Sequence, residues 1–399
     1  MISIEAKMKQ ASNRPTGFDY LRLLLATGVI AQHTVNTSYG QAAAEALFHS
    51  PARAVFGLIV PMFFSLSGFL VAGSLERNRT LFSFLGLRGL RLLPALIFEV
   101  TLSALVLGLA FTDFALVDYF SDPEFRSYFW NIVGHIHYHL PGVFLNNPAP
   151  RIVNGQLWTI PAELKCYISL AALSLIGVMG RRSLTGWIVL LTQLVLAALA
   201  IRYGVEDPTL VSPYVLVGCF MIGVCAFRLK DRIFLSGYAA ILAAAATSLL
   251  FLIPRGDWFL PIPVTYLTVY LGTQNPKKRG LLLSGDYSYG LYLYGFPIQQ
   301  AVATQSWTHE WWINFILAYP LAFGLAVLSW WMVEKPAMKL KSIMYRVEDY
   351  LLRLRMVDWH SRRVFGMAAQ ASVALGITPP SAKESSWQDD EKVPRGGNL

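Results

Sequence analysis

Apolar stretches of roughly bilayer length recur between residues 18 and 333, separated by short polar or basic breaks. A helix needs about 20 apolar residues to cross a bilayer core. The pattern therefore predicts an all-α integral membrane protein of about ten transmembrane helices. They fall over residues 18–38, 53–75, 85–111, 156–179, 184–203, 209–228, 233–253, 258–274, 286–305 and 311–333. Several stretches are interrupted by polar groups. The first carries Asp19, Arg22, Gln32 and His33, the third opens on Arg88 and Arg91 and holds Glu99 deeper, and the fourth holds Glu163. Ionisable side chains inside a span are costly and face a bundle interior or a wet cavity, so a polar central cavity is expected.

Composition fits this class. The chain of 399 residues is 55% hydrophobic and 14% charged, with mean hydropathy +0.46; soluble domains carry about 25% charged residues. The net charge of +9 is assigned to cytoplasmic loops rather than to a nucleic-acid partner. With the N-terminus placed in the cytoplasm, inside segments hold fifteen Lys and Arg and outside segments hold five. Cys166, Cys219 and Cys225 lie in apolar stretches and read as small core residues, with no disulfide framework. The first apolar stretch is too polar for a cleaved signal and reads as a retained span.

Four regions follow: a cytoplasmic tail (1–17), a transmembrane domain (18–336) with a long outer loop (112–155), a cytoplasmic amphipathic helical segment (337–375) and an unstructured tail (376–399). In the outer loop His135, His137 and His139 alternate, which on a strand would put three possible metal ligands on one face. Pro141 and Gly142 follow at once and no acidic or Cys ligand is near, so the loop is read as packing at the membrane surface, with no metal.

The polar residues have a direction. Arg22 and His33 are eleven positions apart, so they share a helix face about 16 Å apart along the axis. Arg88 and Arg91, at i and i+3, share a face near the cytoplasmic end. His33 and Glu163 are expected near the outer end. Arginine suits phosphate, and an imidazole near neutral pKa can take a proton from a hydroxyl. The arrangement suits a donor with phosphates at one end and a reactive group on a long thin arm.

These residues also carry a resemblance. Arg22 and His33, PMFFSLSGFL in the second stretch, Arg88-Gly-Leu-Arg91, QLWTIPAE with Trp158 and Glu163, DYSYGLYLYGFPI, and the final EKP with Glu334 resemble, in order, the motifs of the acyltransferase 3 family. The likeness runs from about Arg14 to Pro336. One position departs: many members have His where this chain has Gly295. The fused esterase-like domain of many members is not matched.

The resemblance implies a membrane O-acyltransferase that uses acetyl-CoA or another acyl-CoA from the cytoplasm. It implies a glycan or glycolipid acceptor, such as exopolysaccharide or lipopolysaccharide, at the outer face of the cell inner membrane. On this reading His33 is the base and Glu163 supports the reacting groups. Arg22, Arg88 and Arg91 hold the donor, and Asn154, Trp158 and Tyr292 meet the substrate. The alternative is a polytopic transporter of a polar solute, against which stands the lack of inverted repeats.

Overall fold

The computed structural model describes residues 1–203, 211–280 and 285–353. The tail at 376–399 lies outside them. The fold is mostly helical. Its longer helices are α1 (Gly17–Tyr39), α2 (Ile59–Arg77), α3 (Leu81–Leu102), α4 (Ile160–Leu175), α5 (Arg182–Tyr203) and α6 (Pro213–Arg228). They continue with α7 (Gly237–Leu252), α8 (Pro261–Gly272), α9 (Ser288–Val302), α10 (Trp311–Ser329) and α11 (Lys341–Arg353). A two-residue strand, Ile2–Ser3, pairs antiparallel with Phe234–Leu235 and ties the N-terminal end to the turn before α7.

The expectation of about ten transmembrane helices is corrected. Among the described residues four helical runs are long and apolar enough to cross a membrane: Arg53–Arg77, Leu81–Phe111, Arg182–Tyr203 and Trp311–Arg353. These long apolar helices still mark a multi-pass membrane protein. The difference arises because an apolar stretch in the sequence is longer than the helix it forms. The stretch at 156–179 spends its start on a 3-10 turn, Gly155–Thr159, and leaves 16 residues for α4. Helices α6 and α7 also have 16 residues, α9 has 15 and α8 has 12. At 1.5 Å per residue, 16 residues reach about 24 Å, short of a core of about 30 Å. Helix α1 has 23 residues, but its polar side chains dilute its hydropathy.

The helices meet in three cores. The largest lies where α1, α2, α6 and α8 converge on Phe69, Phe220 and Val264. Small residues set the approach of α2 and α6. A Cβ on Gly68 would stand 1.9 Å from the Phe220 carbonyl oxygen, and one on Gly223 would stand 2.3 Å from that of Ser65. Backbone therefore lies on backbone, the use of small residues expected between membrane helices. A second core joins α3 to the outer loop through Tyr119, Tyr128, Leu140 and Val153. Tyr119 is fully buried and its hydroxyl donates to the Ala104 carbonyl at 2.6 Å. The third core packs α1, α9 and α10 around Ile30, Leu291, Tyr294 and Ala326.

Helix α11 docks against the N-terminal end of α3. Thr80, the N-cap of α3, donates its hydroxyl to the buried Glu348 at 2.8 Å, and Arg79 pairs with Asp349 at 3.4 Å. Basic and apolar positions are interleaved along α11 at helical spacing; residues 354–375 of the expected amphipathic segment lie outside the described residues.

Candidate functional site

Helix α1 is continuous from Gly17 to Tyr39, so Arg22 and His33 are separated along it by about 16 Å. In place of one central cavity, they line two. The first, the arginine cavity, is bounded by Arg22 of α1, Phe63, Ser67 and Leu70 of α2, and Arg88, Arg91 and Leu92 of α3. Thr159, Glu163 and Tyr167 close it from the α4 side, and Ser288, Tyr289 and Tyr292 from α9. The second, the histidine cavity, is bounded by Gln32, His33 and Asn36 of α1, by Gln41, Glu45 and Phe48, and by Tyr138, Gly155, Trp158 and Phe296.

The arginines of the first cavity differ in their partners. Arg91 is tied twice, to Asp286 at 2.7 Å and to Glu334 at 3.2 Å, and its guanidinium lies 5.9 Å from the ring centres of both Tyr289 and Trp330. Arg22 pairs with Asp19 and, at 3.3 Å, with the same Asp286. Asp19 also takes Lys278 at 2.7 Å. Arg88 forms no ion pair among the described residues. One of its Nη atoms reaches the Ser74 hydroxyl at 3.4 Å, and its Nε is buried with no acceptor. Arg88 is thus the arginine of this cavity that forms no ion pair among the described residues. Glu163 sits in the same cavity and accepts from the Tyr167 hydroxyl at 2.5 Å.

The structure brings Arg22, Arg88, Arg91, Glu163 and Tyr292 together. It brings His33 and Trp158 together. It does not bring Glu163 to His33. Asn154 lines neither cavity: it is fully buried, donates to Glu99 at 2.5 Å and accepts from Ser103 at 3.4 Å. This cluster sits at a π-helical turn, Ser103–Leu107, that extends α3. His33 packs edge-on against Phe296, with ring centres 5.1 Å apart. The carboxylate in its cavity is Glu45, which accepts from Gln41 at 3.1 Å.

A thin barrier lies between the two cavities. Tyr292 lines one and Phe296, a turn further along α9, lines the other; Thr159 lines one and Trp158 the other. The Tyr292 hydroxyl donates to the Gln156 carbonyl and also meets the Thr159 hydroxyl, both at 2.5 Å. Pro297, inside α9, lacks the N–H that would close a helical bond to the Leu293 carbonyl. The Gln156 side chain fills that role, donating to this carbonyl at 2.5 Å. Gln156 therefore grips α9 at two successive residues.

Position 295, where many members of the resembling family have His, is filled by its neighbour. A Cβ on Gly295 would stand 2.6 Å from Cγ1 of Ile30, one turn before His33 on α1. In the outer loop, His135 and His137 face each other with ring nitrogens 2.8 Å apart, on a segment that is not a strand. Among the described residues no three His, Cys, Asp or Glu side chains group as a metal site.

Sequence reasoning missed Asp286, Glu45 and Gln156, and read Glu334 as an interfacial charge in the EKP motif just beyond the last apolar stretch. Pro297 was the available signal for Gln156, since a proline inside a helix leaves a carbonyl in need of a donor. Asp286 stands two residues before α9, within the motif segment, and its charge close to a helix start was the signal there.

The family model described as "Acyltransferase domain" matches residues 16–335. Two curated proteins are similar along most of their length. One is "Nodulation protein 10" of Rhizobium leguminosarum bv. viciae, 26% identical over 84% of this chain and 96% of that protein. The other is "O-acetyl transferase" of Shigella phage Sf6, 26% identical over 80% of this chain and 94% of that protein. No solved structure matches the chain.

Proposed function

The chain belongs to this acyltransferase family, and from that premise we propose that it moves an acetyl group from cytoplasmic acetyl-CoA to a hydroxyl of a glycan or glycolipid at the outer face of the inner membrane. The observation that carries this reading is the arginine cavity, where Arg88 forms no ion pair among the described residues and buries an Nε without an acceptor. A guanidinium in that state gains most from a phosphate oxygen. Arg22 and Arg91 add positive field from the same wall, although their charges are shared with Asp19, Asp286 and Glu334. The apolar side chains of Phe63, Leu70 and Leu92 suit the slender arm of the donor.

The acceptor belongs in the histidine cavity. Its Trp158, Phe296 and Phe48 offer ring faces to the apolar side of a sugar, and Gln32, Asn36, Gln41 and Glu45 offer hydrogen bonds to hydroxyls. His33 takes the proton of the attacking hydroxyl as that oxygen forms its bond to the acyl carbon. The thiolate of CoA leaves, and Glu163, on the donor side of the barrier, orients the thioester end. Tyr292 stands where the acyl group must cross.

The reading rests further on the relatives, one of which is named for O-acetyl transfer. Its test is transfer of labelled acetyl from acetyl-CoA to surface glycan in membrane vesicles, wild type against His33→Ala. Loss of label at equal protein level is expected; transfer near wild type overturns the assignment of the base.

A further inference from the structure

A third cavity lies beside the arginine cavity at the same end of α2. Leu70 and Val71 of α2 line the arginine cavity, while Ala72, Leu75 and Glu76 line the third. Ser74 bridges them: its hydroxyl lies 3.4 Å from an Arg88 Nη atom on one side and 3.4 Å from Asn78 Nδ2 on the other. The third cavity is lined by Arg79, Arg182, Arg228 and Lys230 against a single acid, Glu76.

Most of these charges are partly answered. Lys230 pairs with Glu76 at 3.1 Å, Arg182 with Asp231 at 3.3 Å and Arg79 with Asp349 at 3.4 Å. The last two pairs are well exposed and hold weakly. Arg228 forms no ion pair among the described residues, and its Nε is buried without an acceptor. Membrane topology alone would gather positive charge at one end of the bundle. It would not require four cations to line one concavity, or a guanidinium nitrogen to lie buried and unanswered.

We propose that this cavity binds a phosphate group, with Arg228 as its central ligand and Arg182 and Lys230 closing around it. Two sources carry that chemistry at this place: the phosphate-bearing nucleotide end of the donor, or the headgroup of an anionic phospholipid. The first source rests on the function proposed above; the second does not.

The test compares wild type, Arg228→Gln and Arg228→Lys in nanodiscs of phosphatidylcholine with and without phosphatidylglycerol. KM is read for acetyl-CoA and for acetyl-dephospho-CoA, which lacks the 3′-phosphate, and retained phosphatidylglycerol is counted by native mass spectrometry. If the donor supplies the phosphate, Arg228→Gln raises KM for acetyl-CoA roughly tenfold, leaves that for acetyl-dephospho-CoA unmoved, and Arg228→Lys restores part of the loss. If the lipid supplies it, both donors behave alike and Arg228→Gln sheds bound phosphatidylglycerol. A protein that binds both donors and lipid as wild type does overturns the proposal. Failure of either donor to acylate any glycan in wild type would sink the proposed function instead, while lipid retention still reads this cavity. Unfolding midpoints of the three proteins separate a lost site from a lost fold.

Discussion

Glu163 and His33 line different cavities, on opposite sides of the barrier formed by Tyr292 and its partners. Their substitutions should therefore separate. His33→Ala should lower turnover by about 10²–10⁴, the usual worth of a general base, with donor affinity unchanged. Glu163→Gln should alter the donor side and leave acceptor KM alone. Equilibrium binding of CoA, set beside single-turnover rates, distinguishes the two.

Arg88 and Arg91 differ by their partners, so the same change should do different things. Arg88→Gln removes a cation that forms no ion pair among the described residues and should weaken CoA binding by about 1.5–3 kcal/mol, with little effect on unfolding. Arg91→Gln leaves Glu334, which is 2% exposed, and Asp286 without their shared cation. Breaking such a pair costs roughly 3 kcal/mol of stability, and the unfolding midpoint in detergent should fall clearly.

Gly68→Ala should weaken the join of α2 and α6. The added methyl meets the Phe220 carbonyl at 1.9 Å, and backbone cannot step aside as a side chain can. Overpacking of this kind costs about 2 kcal/mol. Gly186→Ala, where nothing stands within 4 Å of the new Cβ, is the control and should be neutral or slightly stabilising. Paired thermal unfolding in detergent measures both.

The His135–His137 pair makes the outer loop sensitive to acid. Burial, with the neighbouring charges of His135 and His139, lowers the pKa of His137 below its ordinary 6.5. A group depressed in the folded state gives stability that is present above 6.5 and lost as pH falls through the lower folded value. Protection factors at residues 130–140, corrected for the intrinsic pH dependence of amide exchange, should be lower at pH 5 than at pH 7.5, and His137→Gln should flatten that difference.

Part of this was legible in the sequence. The eleven-residue spacing of Arg22 and His33 placed them at two depths of one helix because α1 runs unbroken between them. Helix lengths were not legible, since hydrophobicity does not say where an apolar stretch leaves the helix for a 3-10 turn, as at Gly155–Thr159. Nor was the partner of Arg91: Glu334 lies 243 positions away, and only the fold brings it within 3.2 Å. Nor was Glu45, which stands between the first two apolar stretches, where a charge has no cost that would mark it.

The contact of Gly68 and Gly223 with the opposing main chains has a mechanical consequence. Two rods that touch through their own carbonyls have no compliant layer between them, so α2 and α6 form a stationary pillar. The breaks in regular helix lie elsewhere: α3 contains Pro94 and runs into the π-turn Ser103–Leu107, and α9 and α10 each contain a proline, with α10 running on through the π-turn Trp330–Glu334. Beside that pillar, the Tyr292 partition is held to α9 by the two contacts of Gln156.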